Sequence, residues 1–205
     1  MKIWGRLDST NVKKVLWCAD ELALDYQRID VGGRFGGLNE QDYRALNPNG
    51  LIPCLQDGDL VLWESNAMVR YLSARYGEGR LYDADPAVRA VADKWMDWAT
   101  STLVPPYIAW FINRVRKAPP ERDDEAMEKG RQTLARALAV ADQTLARQPY
   151  LSGDRFAMGD IPLGCLVYAW FELDIERPPL PHLEAWYGRL RKRSAYRDRV
   201  MIPIT

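Results

Sequence analysis

The chain has 205 residues, enough for one large domain or two modest ones, and 47% of them are hydrophobic, so a sizeable core is available. Its 28 basic and 28 acidic residues cancel, which favours neither nucleic acid nor an anionic membrane as a partner. Three separated cysteines without a CxxC (Cys18, Cys54, Cys165) and one histidine, His182, leave almost no material for a disulfide scaffold, a zinc centre or a histidine-based triad.

Met1-Lys2-Ile3-Trp4 enters a strand directly, with no signal peptide or long apolar span, and the expectation is a soluble cytoplasmic protein. Lys2 to Gly5 reads as a short buried strand. Asn11 to Leu22 has helical spacing, with Val12, Val15, Leu16 and Ala19 on one face. Asp25 to Asp30 alternates like a strand and completes a β-α-β unit, which implies parallel pairing. A glycine-rich loop, Gly32 to Gly37, holds Arg34 and Phe35. Gln41 to Leu46 reads as a short helix. Pro53 to Gln56 and Leu60 to Trp63 form a hairpin through Asp57-Gly58. Ser65 to Tyr76 is a helix stopped by Gly77 and Gly79.

After Leu81-Tyr82-Asp83-Ala84-Asp85-Pro86 every periodic segment is helical. Asp85 fits a cap and Pro86 a first helical turn. That helix runs from about Ala87 towards Arg116, bent near Pro105-Pro106. Glu121 to Arg147, Gly159 to Glu172, Leu183 to Arg193 and Ala195 to Arg199 follow. Strands first and helices after predict an α+β chain of two domains, residues 1–78 and 87–205, with a linker at 79–86.

This layout resembles a cytosolic glutathione transferase over nearly the whole length. The marks are Ser9-Thr10-Asn11-Val12-Lys13-Lys14-Val15, Asn47-Pro48-Asn49-Gly50-Leu51-Ile52-Pro53, Glu64-Ser65-Asn66-Ala67, and Gly153-Asp154-Arg155-Phe156 leading to Gly159-Asp160-Ile161-Pro162-Leu163. The resemblance is to the bacterial, serine-type (theta- or nu-like) branch, because Ser9 stands where the family places its thiol-facing hydroxyl. It implies a thioredoxin-like amino-terminal domain, an all-helical carboxyl-terminal domain, glutathione as co-substrate, no metal, and a homodimer. The helix from Ser65, with Met68, Arg70 and the Asp93/Asp97 face, is the expected dimer contact.

A free thiol is mostly protonated at neutral pH, so conjugation needs donors aimed at sulfur. Ser9, just before the first helix, and Asn11, whose amide also donates, are the candidates. Either residue could instead cap that helix. The resemblance gives Ile52, before a cis Pro53, the backbone pairing with the cysteinyl part of glutathione. It gives Glu64 the ammonium group and Ser65 the carboxylate of the γ-glutamyl end. Arg34, with Gln41 as the other choice, is the candidate donor to the glycyl carboxylate. Tyr107 and Phe111, four apart on the long helix, would face a small hydrophobic electrophile, with Arg114 one turn further along.

Cys54 follows Pro53 inside an apolar strand and reads as a buried small side chain. Ala157 occupies the position where the family usually has the hydroxyl of a capping box with Asp160. The expected activity is thiolate attack on a hydrophobic electrophile. A glutathione-dependent disulfide reductase or peroxidase is the rival enzyme, and a non-catalytic binding module is the rival of another class.

Overall fold

A computed structural model describes residues 1–205. Its sheet is built around β1 (Lys2–Trp4), which pairs in parallel with β2 (Gln27–Ile29) and antiparallel with β3 (Cys54–Asp57). β4 (Leu60–Trp63) closes the edge, giving the order β2-β1-β3-β4. Parallel pairing requires a crossover, and α1 (Thr10–Glu21) supplies it. Side chains alternate across the sheet. Ile3 and the opposed Leu55 enter the main core. Trp4 and the opposed Cys54 face a smaller cluster with Val31 and Tyr43, the latter from α2 (Gln41–Leu46).

α1 packs against α3 (Ser65–Tyr76) on one side and against α7 (Ile161–Glu172) and α9 (Ser194–Arg199) on the other. Residues Val12 through Ala19 are consequently all buried, although the apolar stripe in the sequence covers one face only. Trp17 is the pivot of this packing. Its ring lies 4.7 Å from that of Tyr196 and 5.3 Å from that of Phe156. Gly164 allows the approach: a Cβ there would stand 2.6 Å from Trp17 Cζ3. Arg193 to Glu21 at 2.6 Å and Arg199 to Asp20 at 2.5 Å pin the same junction. One core of 44 buried residues therefore runs through both halves of the chain.

The long helical run is four segments rather than one: α4 (Pro86–Trp98), a π-turn (Ala99–Leu103), α5 (Val104–Phe111) and a second π-turn (Ile112–Arg116). Asp85 caps α4, accepting from Ala87 N at 2.8 Å. Pro105 and Pro106 lack N–H groups, so regular hydrogen bonding to the preceding turn fails, and the helix widens there. α6 (Asp124–Leu145) begins later than expected because Pro119–Glu121 form a separate 3-10 turn, and Asp123 accepts from Ala126 N at 2.9 Å. α8 (Pro181–Leu190) completes the helices.

Asp160 is fully buried, and its carboxylate accepts from four donors. These are Leu151 N (2.8 Å), Trp186 Nε1 (2.9 Å), Ala157 N (3.2 Å) and Ser152 N (3.4 Å). Burial pushes its pKa up, and those hydrogen bonds oppose the rise.

Of the residues expected at a dimer contact, Met68 is turned inward, while Arg70 pairs with Asp93 and Asp97 on the surface. Met68 is wholly buried in its own chain's core. Arg70 Nε lies 2.7 Å from Asp93 Oδ1 and its guanidinium also pairs with Asp97, both in the same chain. α4 lies against α3 within one chain, joined by Arg70 to Asp93 and by Asn66 Nδ2 to Met96 O at 2.8 Å.

Candidate functional site

Two cavities meet at Asn11. The larger, about 210 Å³, is lined by Arg6, Ser9, Thr10 and Asn11 from the start of α1 and by Val104, Tyr107, Ile108 and Phe111 from α5, with Ile112, Arg116 and Leu166. The smaller, about 60 Å³, is lined by Asn11, Asn47, Asn49, Leu51, Ile52, Pro53, Trp63, Glu64 and Ser65. Of the residues singled out in the sequence, Ser9, Asn11, Tyr107 and Phe111 come together in the first, and Ile52, Pro53, Glu64 and Ser65 in the second.

Ser9 occupies the N-cap position of α1, yet its side chain makes no capping hydrogen bond. Its hydroxyl is left for the cavity that Ser9 lines. Asn11 does not cap the helix either. Its Oδ1 accepts from Lys14 Nζ at 2.9 Å and from Ser65 Oγ at 3.3 Å. An amide oxygen held by two donors fixes the amide plane, and the Nδ2 hydrogens are then the donors available to a ligand. α1 has no acidic residue in its first turn, so the positive end of its dipole is not neutralised from within the helix.

Sequence reasoning missed Lys14. It is buried, bonds Asn11 and lies 3.4 Å from Ser65 Oγ. Burial holds its pKa below the ordinary lysine value, with partial compensation from neighbouring groups including Glu64. Lys13 is buried as well, donating to Val200 O at 3.1 Å, and burial also lowers its pKa.

The Ile52–Pro53 peptide is cis. Neither the N–H nor the C=O of Ile52 makes a hydrogen bond within the chain, so both remain open to an extended ligand. Glu64 precedes α3 with φ at 74°, a left-handed value uncommon for a side chain of its size. The amides of the first turn of α3 are free to meet an anion beside Ser65.

Arg34 and Gln41 line neither cavity. The guanidinium of Arg34 lies over the Phe35 ring, 4.8 Å from its centroid. Asn47 and Asn49 reach the smaller cavity instead, both within a turn whose residues were legible in the sequence. Asn47 Oδ1 accepts from Asn49 N at 3.1 Å and Asn49 Nδ2 at 3.0 Å, while Asn47 Nδ2 donates to Leu51 O at 2.7 Å.

Tyr107 and Phe111 stack with ring centroids 5.1 Å apart and are both buried, so only a small part of each ring is exposed to the cavity. Burial raises the Tyr107 phenol, and the nearby Thr10 hydroxyl offsets part of the rise. Arg114 does not reach the cavity; Arg116 does. The π-turn from Ile112 adds residues to the last turn, so the position facing the cleft lies five after Phe111 rather than three.

No thiol of the chain is a poised nucleophile. Burial pushes Cys54 up to about 11 and Cys18 and Cys165 up to about 12. No group of three or more His, Cys, Asp or Glu side chains could hold a metal ion. No helix is long and apolar enough to cross a membrane. A shallow depression of about 700 Å³ beside α8 holds none of the candidate residues. Its Arg177 is occupied by the carbonyls of Trp170, Phe171 and Leu173 at the end of α7.

Comparison with known proteins shows the family of the chain. Residues 8–75 match the family model of the glutathione S-transferase N-terminal domain, and residues 91–194 that of the C-terminal domain. The chain is 45% identical over 205 residues to glutathione S-transferase GstB of Escherichia coli strain K12, covering 99% of each. It is 33% identical over 215 residues to glutathione S-transferase 3 of Zea mays, covering 98% of this chain and 93% of that one. Among solved structures, a theta class glutathione S-transferase from Xanthomonas axonopodis pv. citri, with glutathione bound, superposes with a TM-score of 0.97. It shares 56% identity and the match covers 100% of this chain and 98% of that one. The chain belongs to the glutathione S-transferase family.

Proposed function

We propose that this enzyme binds glutathione in the smaller cavity and extends its sulfur past Asn11. There the thiolate meets a small hydrophobic electrophile held in the larger cavity. The observation that carries this reading is the position of Asn11, which lines both cavities with its amide oxygen already taken by Lys14 and Ser65. In the proposal Nδ2 of Asn11 and the Ser9 hydroxyl donate to sulfur, and the N-terminus of α1 adds positive potential. Hydrogen bonds to the charged form lower a thiol pKa, so the proton passes to solvent and the thiolate is retained for attack.

Ile52 supplies N–H and C=O to the cysteinyl backbone. Ser65 and the first amides of α3 take the γ-glutamyl carboxylate, and Glu64 takes its ammonium group. Asn49 is a better placed donor to the glycyl end than Arg34, because Asn49 lines the cavity and Arg34 does not. Residues 1–78 act as the glutathione-holding unit, residues 79–86 as the connection and residues 87–205 as the unit facing the electrophile, in a cytoplasmic homodimer.

Calorimetry with glutathione, followed by parallel assays with an aryl halide and a small disulfide, tests this reading. The expected result is binding, with turnover of the halide exceeding that of the disulfide. Turnover of the disulfide alone would replace conjugation by disulfide reduction. Ser65→Ala is expected to weaken glutathione binding and, because the hydroxyl also holds Asn11 Oδ1, to lower turnover at saturation by a smaller factor.

A further inference from the structure

The larger cavity has an apolar wall, but its charge is one-sided. Six of its 11 lining residues are hydrophobic, two are arginines, and none is acidic. Arg6 lies on the loop before α1, with its stem against Gly33, where a Cβ would stand 2.8 Å from Arg6 Cδ. Its charge is shared with Asp8, 2.6 Å away, and Asp8 does not line this cavity. Arg116, at the end of the second π-turn, pairs with no aspartate or glutamate side chain. Its guanidinium lies over the Phe111 ring, 5.5 Å from the centroid, and Nε is 3.4 Å from Thr205 O. Stacking fixes the plane of the fork while leaving its terminal nitrogens as donors. An apolar slot that ends on an oriented guanidinium with its terminal nitrogens free suits a molecule with an apolar body and an anionic end.

We infer that the cavity beside Ser9 selects electrophiles that carry a carboxylate or another small anionic group, with Arg116 as the receiving cation and Arg6 reinforcing it. The inference rests on the conjugation reading above and names the substrate class for the same site. With a chloronitrobenzoate, the glutathione thiolate would attack the chlorine-bearing ring carbon. A C–S bond forms, the C–Cl bond breaks, and chloride leaves with the bonding pair. The thiol proton has already passed to solvent, so no oxidant or further reactant is needed. Arg116 acts on the carboxylate, which does not react, and so contributes to selection between substrates.

The test compares a chloronitrobenzoate with its methyl ester, each rate divided by the uncatalysed rate with glutathione, so that the ring's own reactivity cancels. The acid should be favoured by about tenfold, the scale of one charge-assisted hydrogen bond. Arg116→Gln should bring the ratio towards unity, Arg116→Lys should retain part of it, and Arg114→Gln, outside the cavity, should leave it unchanged. A merely structural role, or a role in holding glutathione itself, would lower acid and ester together and keep the ratio. That result, or an equal enhancement for acid and ester in the unaltered enzyme, would overturn the inference. If neither is turned over, binding of the two S-aryl glutathione conjugates by calorimetry gives the same ratio. Failure of glutathione alone to bind would instead count against the conjugation reading.

Discussion

Lys14 Nζ lies 2.9 Å from Asn11 Oδ1, buried, with no carboxylate partner. An ammonium in that position costs stability, because desolvation is not repaid by an ion pair. It fixes the Asn11 amide and adds positive charge beneath the place proposed for sulfur. Lys14→Met keeps the length and packing of the side chain while removing both effects. The variant should be as stable as the parent, or about 1 kcal/mol more stable, by denaturant unfolding. Its kcat/KM for conjugation should fall by about tenfold or more, with the pH profile displaced to higher pH. Loss of stability with an unchanged pH profile would make Lys14 a packing residue only.

The same lysine gives a pH-dependent signature of stability. Its folded pKa lies below the ordinary 10.5, the direction that penalises the charged form in the fold. The unfolded chain then holds more protons than the folded chain between the lowered value and 10.5. The penalty is therefore full below the folded pKa and fades as pH rises through that window. The stability difference between Lys14→Met and the parent should narrow on going from neutral to alkaline pH. Lys13, Glu64 and Cys165 are the ionisable neighbours and are common to both proteins, so the difference isolates Lys14.

Ser9 and Asn11 are predicted to separate by experiment. Ser9→Ala and Asn11→Ala should each leave glutathione affinity within a few-fold and each raise the pKa of the bound thiol. The larger rise identifies the main donor. Loss of one neutral hydrogen bond to a charged acceptor corresponds to about 1.5–3 kcal/mol, or roughly ten- to hundredfold in turnover at neutral pH. An unchanged turnover in Ser9→Ala would leave the role to Asn11.

Asp160 is expected to matter for folding alone. Asp160→Ala removes the acceptor of four buried donors and should destabilise the protein by about 3–5 kcal/mol in chemical denaturation. Ala157→Ser restores the missing hydroxyl at the start of that turn and should add about 1 kcal/mol. Neither change should alter the pH profile of the folded fraction.

The parallel pair, the hairpin and most helices were legible because period-two and period-3.6 patterns, glycine stops and the Asp85 cap all pointed the same way. Ser65–Tyr76, Gln41–Leu46 and Leu60–Trp63 begin and end where the pattern changes. Lys14 was not legible. A pair of lysines on a helix reads as a solvated face, and only packing of α1 between α3 and α7 encloses it. Arg116 was hidden behind Arg114 for a different reason: a π-turn changes the spacing, and the sequence carries no periodic mark of it. Met68 looked available to a partner because an apolar residue on a helix does not reveal whether its neighbour comes from the same chain. Arg34 looked suitable by charge, but charge alone does not say which way a glycine-rich loop turns.

The most direct test of the account is the thiolate absorbance of the enzyme–glutathione complex, titrated from mildly acidic to mildly alkaline pH. The chain's own thiols are raised to about 11 and 12 and stay silent over that range. A bound thiol with a pKa well below the value of about 8.5 for a free one is the predicted result. A bound thiol that titrates like glutathione in solution would contradict it.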